Sequence, residues 1–186
     1  MNALRINVAG LLKETAGAAR DYPIEAPPAE LTKLLETEGG ARGVQPLTGQ
    51  VRLMRTQQSV FVRGRLKTRL AVECSRCLET AEVPVQFDVE AEYFPEVDIV
   101  TGHGLPKPDD DLAFTIDQNH ELDLSEAVRQ HLILELPMHA VCRETCAGLC
   151  PRCGANLNRG ACACEPEVED ERLAPLRALL EKAKTE

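Results

Sequence analysis

The chain has 186 residues and a formal net charge of −9, with 44% hydrophobic and 27% charged residues. Those are globular values: a chain this long buries roughly 70% of its unfolded surface, and disordered, collagen-like and coiled-coil readings are excluded. An acidic balance also excludes indiscriminate coating of nucleic acid, which runs on Lys and Arg, so any contact with RNA has to be local.

The N-terminal segment Leu4 to Val8 alternates apolar and polar residues and predicts a strand. The Gly-, Ala- and Pro-spaced stretch that follows, as far as Pro28, carries no assignable period, and Glu30 to Glu36 is read as a short helix. From Val60 to Cys74 the even positions are Val60, Val62, Gly64, Leu66, Thr68, Leu70 and Val72, while the odd ones include Arg63, Arg65, Lys67 and Arg69. A period of two predicts a strand with one buried face and one basic face. Fifteen residues would reach about 50 Å at 3.3 Å each, so a bend or break is expected near Gly64.

The phase resumes with Val83, Val85, Phe87, Val89, Ala91 and Tyr93, facing away from Gln86, Asp88, Glu90 and Glu92. If Cys74 to Cys77 is the connecting turn, Leu66 sits by Val85, Val62 by Val89, Arg69 by Glu82 and Arg63 by Asp88, so apolar meets apolar and base meets acid. Pro84 predicts an edge or bulge in this second strand. Residues 95–111, with Gly102, Gly104, Pro106, Pro108 and the run Asp109 to Asp111, read as a surface loop, followed by a short strand over Leu112 to Ile116. Leu124, Val128 and Leu132 at helical spacing predict a helix over about 124–135, stopped by Pro137. Arg172 to Lys182 reads as an amphipathic helix with Pro175 in its first turn. The fold class is therefore α+β: antiparallel β hairpins, a few helices and a C-terminal cysteine-rich module. The expected boundaries are 1–137 for the sheet domain, 138–166 for the module and 167–186 for the last helix.

Six of the eight cysteines, Cys142, Cys146, Cys150, Cys153, Cys162 and Cys164, crowd together, and Cys74 and Cys77 form a distant pair. The start of the chain lacks the apolar run of a secretory signal and no segment is apolar enough to span a bilayer, so the expected setting is the reducing cytoplasm, with no membrane partner. There metal binding outranks a disulfide framework. Cys150 and Cys153 form a zinc knuckle, with Pro151 stiffening the turn and Gly154 letting the backbone curl under the second sulfur. Cys162 and Cys164 complete four sulfurs; a disulfide between those two would be strained. The remaining four, Cys74, Cys77, Cys142 and Cys146, are expected to form a second site, with Cys142 and Cys146 on one helical face. Spacing alone also permits Cys150 or Cys153 to exchange places with Cys142 or Cys146. The cofactor expected is one or two zinc ions, structural because a closed tetrathiolate leaves no open position. Two filled sites would take the formal charge to about −13.

Evidence for catalysis is slight. His103, His120, His131 and His139 are isolated, with His139 a spare ligand at most. The run Asp109 to Asp111 lacks the spacing of a calcium loop, and no phosphate loop or nucleophile elbow is present. No small-molecule substrate is expected. Charge is segregated, however: residues 51–77 hold seven bases and one acid, residues 79–126 fourteen acids and one base. Arg63, Arg65, Lys67 and Arg69 then either contact RNA phosphate or are neutralised by the adjacent acidic strand.

Cys74, Ser75, Arg76 and Cys77 on a strand turn, a helix ending at Leu136 and Pro137, and then Cys142, Cys146, Gly148, Leu149, Cys150, Pro151, Cys153, Gly154, Asn156, Leu157, Asn158, Cys162 and Cys164 in that order, together resemble the YceD family, the large ribosomal RNA subunit accumulation proteins. The resemblance implies a cytosolic bacterial factor needed for normal processing or accumulation of large-subunit ribosomal RNA; the slight evidence for catalysis and the segregated charge add the expectation of a non-catalytic adaptor whose partner is precursor ribosomal RNA or a large-subunit ribosomal protein. A thiol-redox or zinc-sensing regulator is the competing expectation, and a Mg²⁺-dependent nuclease, resting on Asp109 to Asp111, is a weaker one.

Overall fold

The computed structural model describes residues 3–36, 40–106 and 113–164, and the chain divides after Cys146 into two compact units. The expected helix at 172–182 and the run Asp109 to Asp111 lie outside the described residues. The first unit is mainly β with a few short helices. Its strands are β1 (Arg5–Asn7), β2 (Ala19–Ala26), β3 (Arg42–Gly43), β4 (Leu47–Arg55), β5 (Val60–Glu73), β6 (Thr80–Pro95), β7 (Phe114–Ile116) and β8 (Glu121–Asp123); its helices are α1 (Ala9–Leu12), α2 (Pro28–Leu34) and α3 (Ser125–Glu135). One sheet runs in the order β1-β8-β7-β6-β5-β4-β2, with β3 added against β5. Every pairing is antiparallel except that of β6 with β7.

The β5–β6 hairpin is the spine of this unit. Its inner face carries Val60, Val62, Leu66, Leu70, Val85, Phe87 and Val89, all buried. Each buried aliphatic side chain contributes about 2 kcal/mol, which is why the period of two governs the strand. Across the inner face lies α3, burying Ala127, Val128 and Leu132, with the His131 ring stacked on Phe87 at 5.8 Å. Pro28 opens α2 at a position where its missing N–H costs nothing, and Leu136 adopts an extended conformation ahead of Pro137 to end α3.

Several sequence expectations change. The strand at β5 runs unbroken through Gly64. Gly64 is required there by close approach instead: a Cβ would meet Gln50 O at 2.4 Å and Val51 Cγ1 at 2.6 Å on β4. The hairpin register pairs Leu66 with Phe87, Val62 with Ala91, Arg63 with Glu90 and Arg65 with Asp88, two residues from the expected alignment. The cause is the turn, which spans four residues between Cys74 and Glu79 and is closed by Cys74 N donating to Glu79 O at 2.8 Å. A two-residue slip keeps every side chain on its own face, so alternation alone could not reveal it. The unassigned stretch before Pro28 forms α1 and β2, and β4 and β8 also went unread.

Pro84 does sit at an edge. The Cys74–Glu79 pair is hydrogen-bonded, and pairs alternate along an antiparallel ladder. The odd residues of β6 therefore bond β5, and Pro84 and its even neighbours face away from it. Among the described residues, only Tyr93 to Pro95 of β6 has a strand on that far side.

Candidate metal centres

The long hairpin carries Cys74 and Cys77 to its tip, and the segment after α3 brings Cys142 and Cys146 to meet them. The four sulfurs lie within 4.8 Å of one another. Cys74 Sγ is 3.9 Å from Cys146 Sγ, and Cys77 Sγ is 3.7 Å from Cys142 Sγ. A tetrahedral ion with 2.3 Å bonds to sulfur sets its ligands about 3.8 Å apart, so the group fits such an ion; disulfide bonds, near 2.05 Å, are absent and all eight cysteines are free. Cys142 and Cys146 reach this group through a turn closed by Cys146 N donating to Arg143 O at 3.1 Å, and not along a helical face as expected, because Pro137 has already stopped the helix.

Hydrogen bonds to main-chain carbonyls brace the same junction. Ser75 N and Ser75 Oγ both donate to Ala140 O, at 2.8 and 3.0 Å, and Arg76 Nη1 donates to Cys146 O at 3.2 Å. Leu78 closes the loop at φ 61°, a left-handed conformation in a non-glycine residue. None of these contacts has a sequence signal beyond the turn itself, since each depends on where the segment 140–146 arrives.

The electrostatics suit a cation. Burial works against the Cys74 thiolate, yet backbone N–H groups of Cys142, Arg76 and Cys77 point at its sulfur and bring its pKa down to about 6. Cys142 N donates to Cys74 Sγ at 3.4 Å. At Cys77 the backbone N–H of Glu79 favours the thiolate, but burial and the hydrogen bonds among neighbouring thiols win and push the pKa up to about 12. Cys142 is raised by burial and by Cys146. One sulfur is thus prepared as an anion while its neighbours resist further negative charge, a balance that a divalent cation among them would overturn.

The second group, Cys150, Cys153, Cys162 and Cys164, belongs entirely to the second unit, and its sulfurs also lie within 4.8 Å of one another. Cys150 Sγ and Cys162 Sγ are 3.4 Å apart. The knuckle turns through Gly154 at φ 70°, with Gly154 N donating to Cys150 O and Cys150 N to Ala155 O, both at 2.8 Å. Asn156 and Asn158 supply the remaining scaffold: Asn156 Oδ1 accepts from Asn158 N, and Asn158 Oδ1 accepts from Ala147 N, both at 2.9 Å. The backbone N–H groups of Cys153 and Arg152, then Cys162, lower Cys150 to about 6; Cys164 is pushed up to about 12 by Cys153 and by burial. This group is more open than the first, for Cys153 is exposed while Cys74, Cys77 and Cys146 are all buried. Both groups could hold a metal ion.

The histidines stand apart from both. His131 Nδ1 meets Ala127 O at 2.8 Å, and His139 is exposed and outside either sulfur group. The basic residues of β5 are matched by β6: Arg65 Nε and Nη2 donate to the two Asp88 oxygens at 2.6 and 2.9 Å, Arg63 meets Glu90 at 3.1 Å and Arg69 meets Glu82 at 3.8 Å. Lys67 faces Gln86. No described helix is long and apolar enough to cross a membrane.

Comparison with known proteins adds a family. The model of "Large ribosomal RNA subunit accumulation protein YceD" matches residues 62–180. A chloroplastic YCED homolog 1 of Zea mays is 30% identical over 164 residues, 75% of this chain and 55% of its own length. Its namesake in Arabidopsis thaliana is 27% identical over 165 residues, 74% of this chain and 49% of its own. An uncharacterised protein of Mycobacterium tuberculosis is 32% identical over 130 residues, 70% of this chain and 58% of its own. The chain thus spans about half the length of these curated relatives. No solved structure matches.

Proposed function

The chain belongs to the YceD family of large ribosomal RNA subunit accumulation proteins, and from that premise we propose that it is a non-catalytic factor in biogenesis of the large ribosomal subunit. The observation that carries the mechanism is the pair of four-sulfur groups, each with its sulfurs within 4.8 Å of one another. Zinc is the ion we assign: Cys74, Cys77, Cys142 and Cys146 would hold one, Cys150, Cys153, Cys162 and Cys164 the other, each closed to substrate and therefore a cross-link. The first ties the hairpin tip to the segment following α3; the second gives the 147–164 segment a core it otherwise lacks, since Cys150 is its one buried hydrophobic residue among those described. The reducing cytoplasm, where thiolates persist, is the setting this chemistry favours.

In this reading the chain is organised as a sheet domain over 1–137, a cysteine-rich module over 138–166 and a C-terminal segment over 167–186. The protein acts as an adaptor between ribosomal RNA and a ribosomal protein. Arg63, Arg65, Lys67 and Arg69 would meet RNA phosphate, with Lys67 the cation nearest to hand and the arginines exchanging carboxylate for phosphate. Those exchanges are cheap, because exposed ion pairs contribute only about 0–1 kcal/mol each. The test is sedimentation from cell extract at moderate salt: the protein travels with large-subunit precursor particles, and a variant with all four residues changed to Gln does not. Sedimentation of the unchanged protein free of both particles and precursor RNA would overturn the proposal. A thiol-redox or zinc-sensing role is the second reading and draws on the exposure of Cys153. It requires a fast-reacting thiol in the metal-loaded protein, which thiol counting detects.

A further inference from the structure

Strand β6 ends its ladder with work undone. Between Thr80 and Glu92 it pairs with β5 on one side and, among the described residues, with no strand on the other. The alternation established from the Cys74–Glu79 bond turns the main-chain N–H and C=O groups of Gln86, Asp88, Glu90 and Glu92 toward that open side. Pro84 interrupts the row below them, so the usable edge is 86–92, long enough to template four alternate residues of another chain. Helix α3 packs against β6 on the inner face, where Val85, Phe87 and Val89 are buried, and among the described residues no main-chain partner takes up the outward groups of 86–92.

Charge selects what can add there. The even residues that offer the amides also hold Asp88, Glu90 and Glu92 exposed on the outer face, where Asp88 and Glu90 are shared with Arg65 and Arg63 of β5 through exposed ion pairs that an incoming base can exchange at small cost. A second copy of this acidic chain would set carboxylates against carboxylates, which is unfavourable for directly opposed residues, and Pro84 blunts self-pairing further. A strand with Lys or Arg at alternate positions meets the opposite condition. Glu92 in particular has Phe61, not a base, across from it on β5, and its carboxylate accepts from Ser59.

We propose that the open edge of β6 from Gln86 to Glu92 receives an extended segment of a basic protein, added as a further strand whose Lys or Arg side chains alternate along the outer face. The main-chain ladder supplies affinity and the row of acids supplies the choice of partner. For its biological occupant this rests on the proposed role beside a basic ribosomal protein.

The test uses the full chain and a fluorescent nine-residue peptide of alternating Lys and Val, with anisotropy for affinity and amide exchange by NMR for position. Binding is expected to slow exchange at Gln86, Asp88, Glu90 and Glu92, while the intervening amides, already bonded to β5, change little. Gln86→Pro removes an outward N–H at the same ladder parity as Pro84, so it spares the β5 bonds; it should weaken binding about tenfold through the lost main-chain bond and blocked register. The alternating Glu and Val peptide should not bind. Absence of binding, binding without protection of the even-numbered amides, or equal binding of the acidic peptide would each overturn the proposal. Should the proline variant fail to fold, the exchange pattern of the unchanged chain decides alone. Because these readouts need no ribosome, their failure is distinct from failure of the sedimentation test, which judges the ribosomal role itself.

Discussion

A cysteine that is buried, aimed at by backbone N–H groups and placed 3.9 Å from another sulfur has few roles open to it. Cys74 is such a residue, and Cys74→Ser is expected to halve the bound metal and lower Tm by about 10 °C, from a loss of about 3 kcal/mol at 2–4 °C per kcal/mol in a chain of this size. Elemental analysis and a thermal scan read both. Proton linkage gives a second expectation. At pH 7 Cys77 and Cys142, both raised, are protonated before metal arrives, whereas Cys74, lowered to about 6, is already largely thiolate. Filling the first group therefore expels at least about two protons per ion, and affinity falls as pH is lowered. For Cys74 alone the folded pKa lies below the ordinary 9.0, so its contribution to stability of the metal-free chain grows from about pH 6 toward 9 and is lost on acidification. Calorimetry in buffers of different ionisation enthalpy counts the protons; a buffer-independent heat would contradict the assignment.

Among the elements, what the sequence revealed followed from local repetition. The period of two made β5 and β6 readable, and Leu124, Val128 and Leu132 with Pro137 bounded α3 to within a residue. Three things were hidden because they are tertiary. The register slipped by two because the loop length between Cys74 and Glu79 is set by how the cysteine tip folds. Strand β4 escaped because Gly49, Gln50 and Arg52 dilute its alternation, and β2 because Pro23 and its charged neighbours look like loop. The pairs Cys74 with Cys77 and Cys150 with Cys153 show as spacings, and the structure brings the first together with Cys142 and Cys146 as expected, although spacing alone also permitted an exchange with Cys150 or Cys153. Gly64, read as a bend, tests the corrected view: Gly64→Ala forces its Cβ against Gln50 O of β4 and is expected to destabilise the sheet by about 1–3 kcal/mol in denaturant unfolding. Arg65→Ala, which removes only an exposed pair with Asp88, should cost less than about 1 kcal/mol.

At the scale of the whole molecule the two compact units differ in what holds them. The first has an extended core from Leu4 to Leu132 and a sheet around it; the second has three glycines at positive φ (Gly148, Gly154 and Gly160), an asparagine scaffold and its sulfurs. Chelation is therefore expected to unfold residues 147–164 while amides of β4, β5 and β6 stay protected, a separation that hydrogen exchange resolves. The exposure of Cys153 places the second group first in the expected order of loss. The most direct test of the account is native mass spectrometry with thiol counting on protein purified anaerobically. It predicts two divalent transition-metal ions per chain and no freely reactive thiol among the eight cysteines; a folded chain that carries no metal and exposes its thiols to reagent would contradict it.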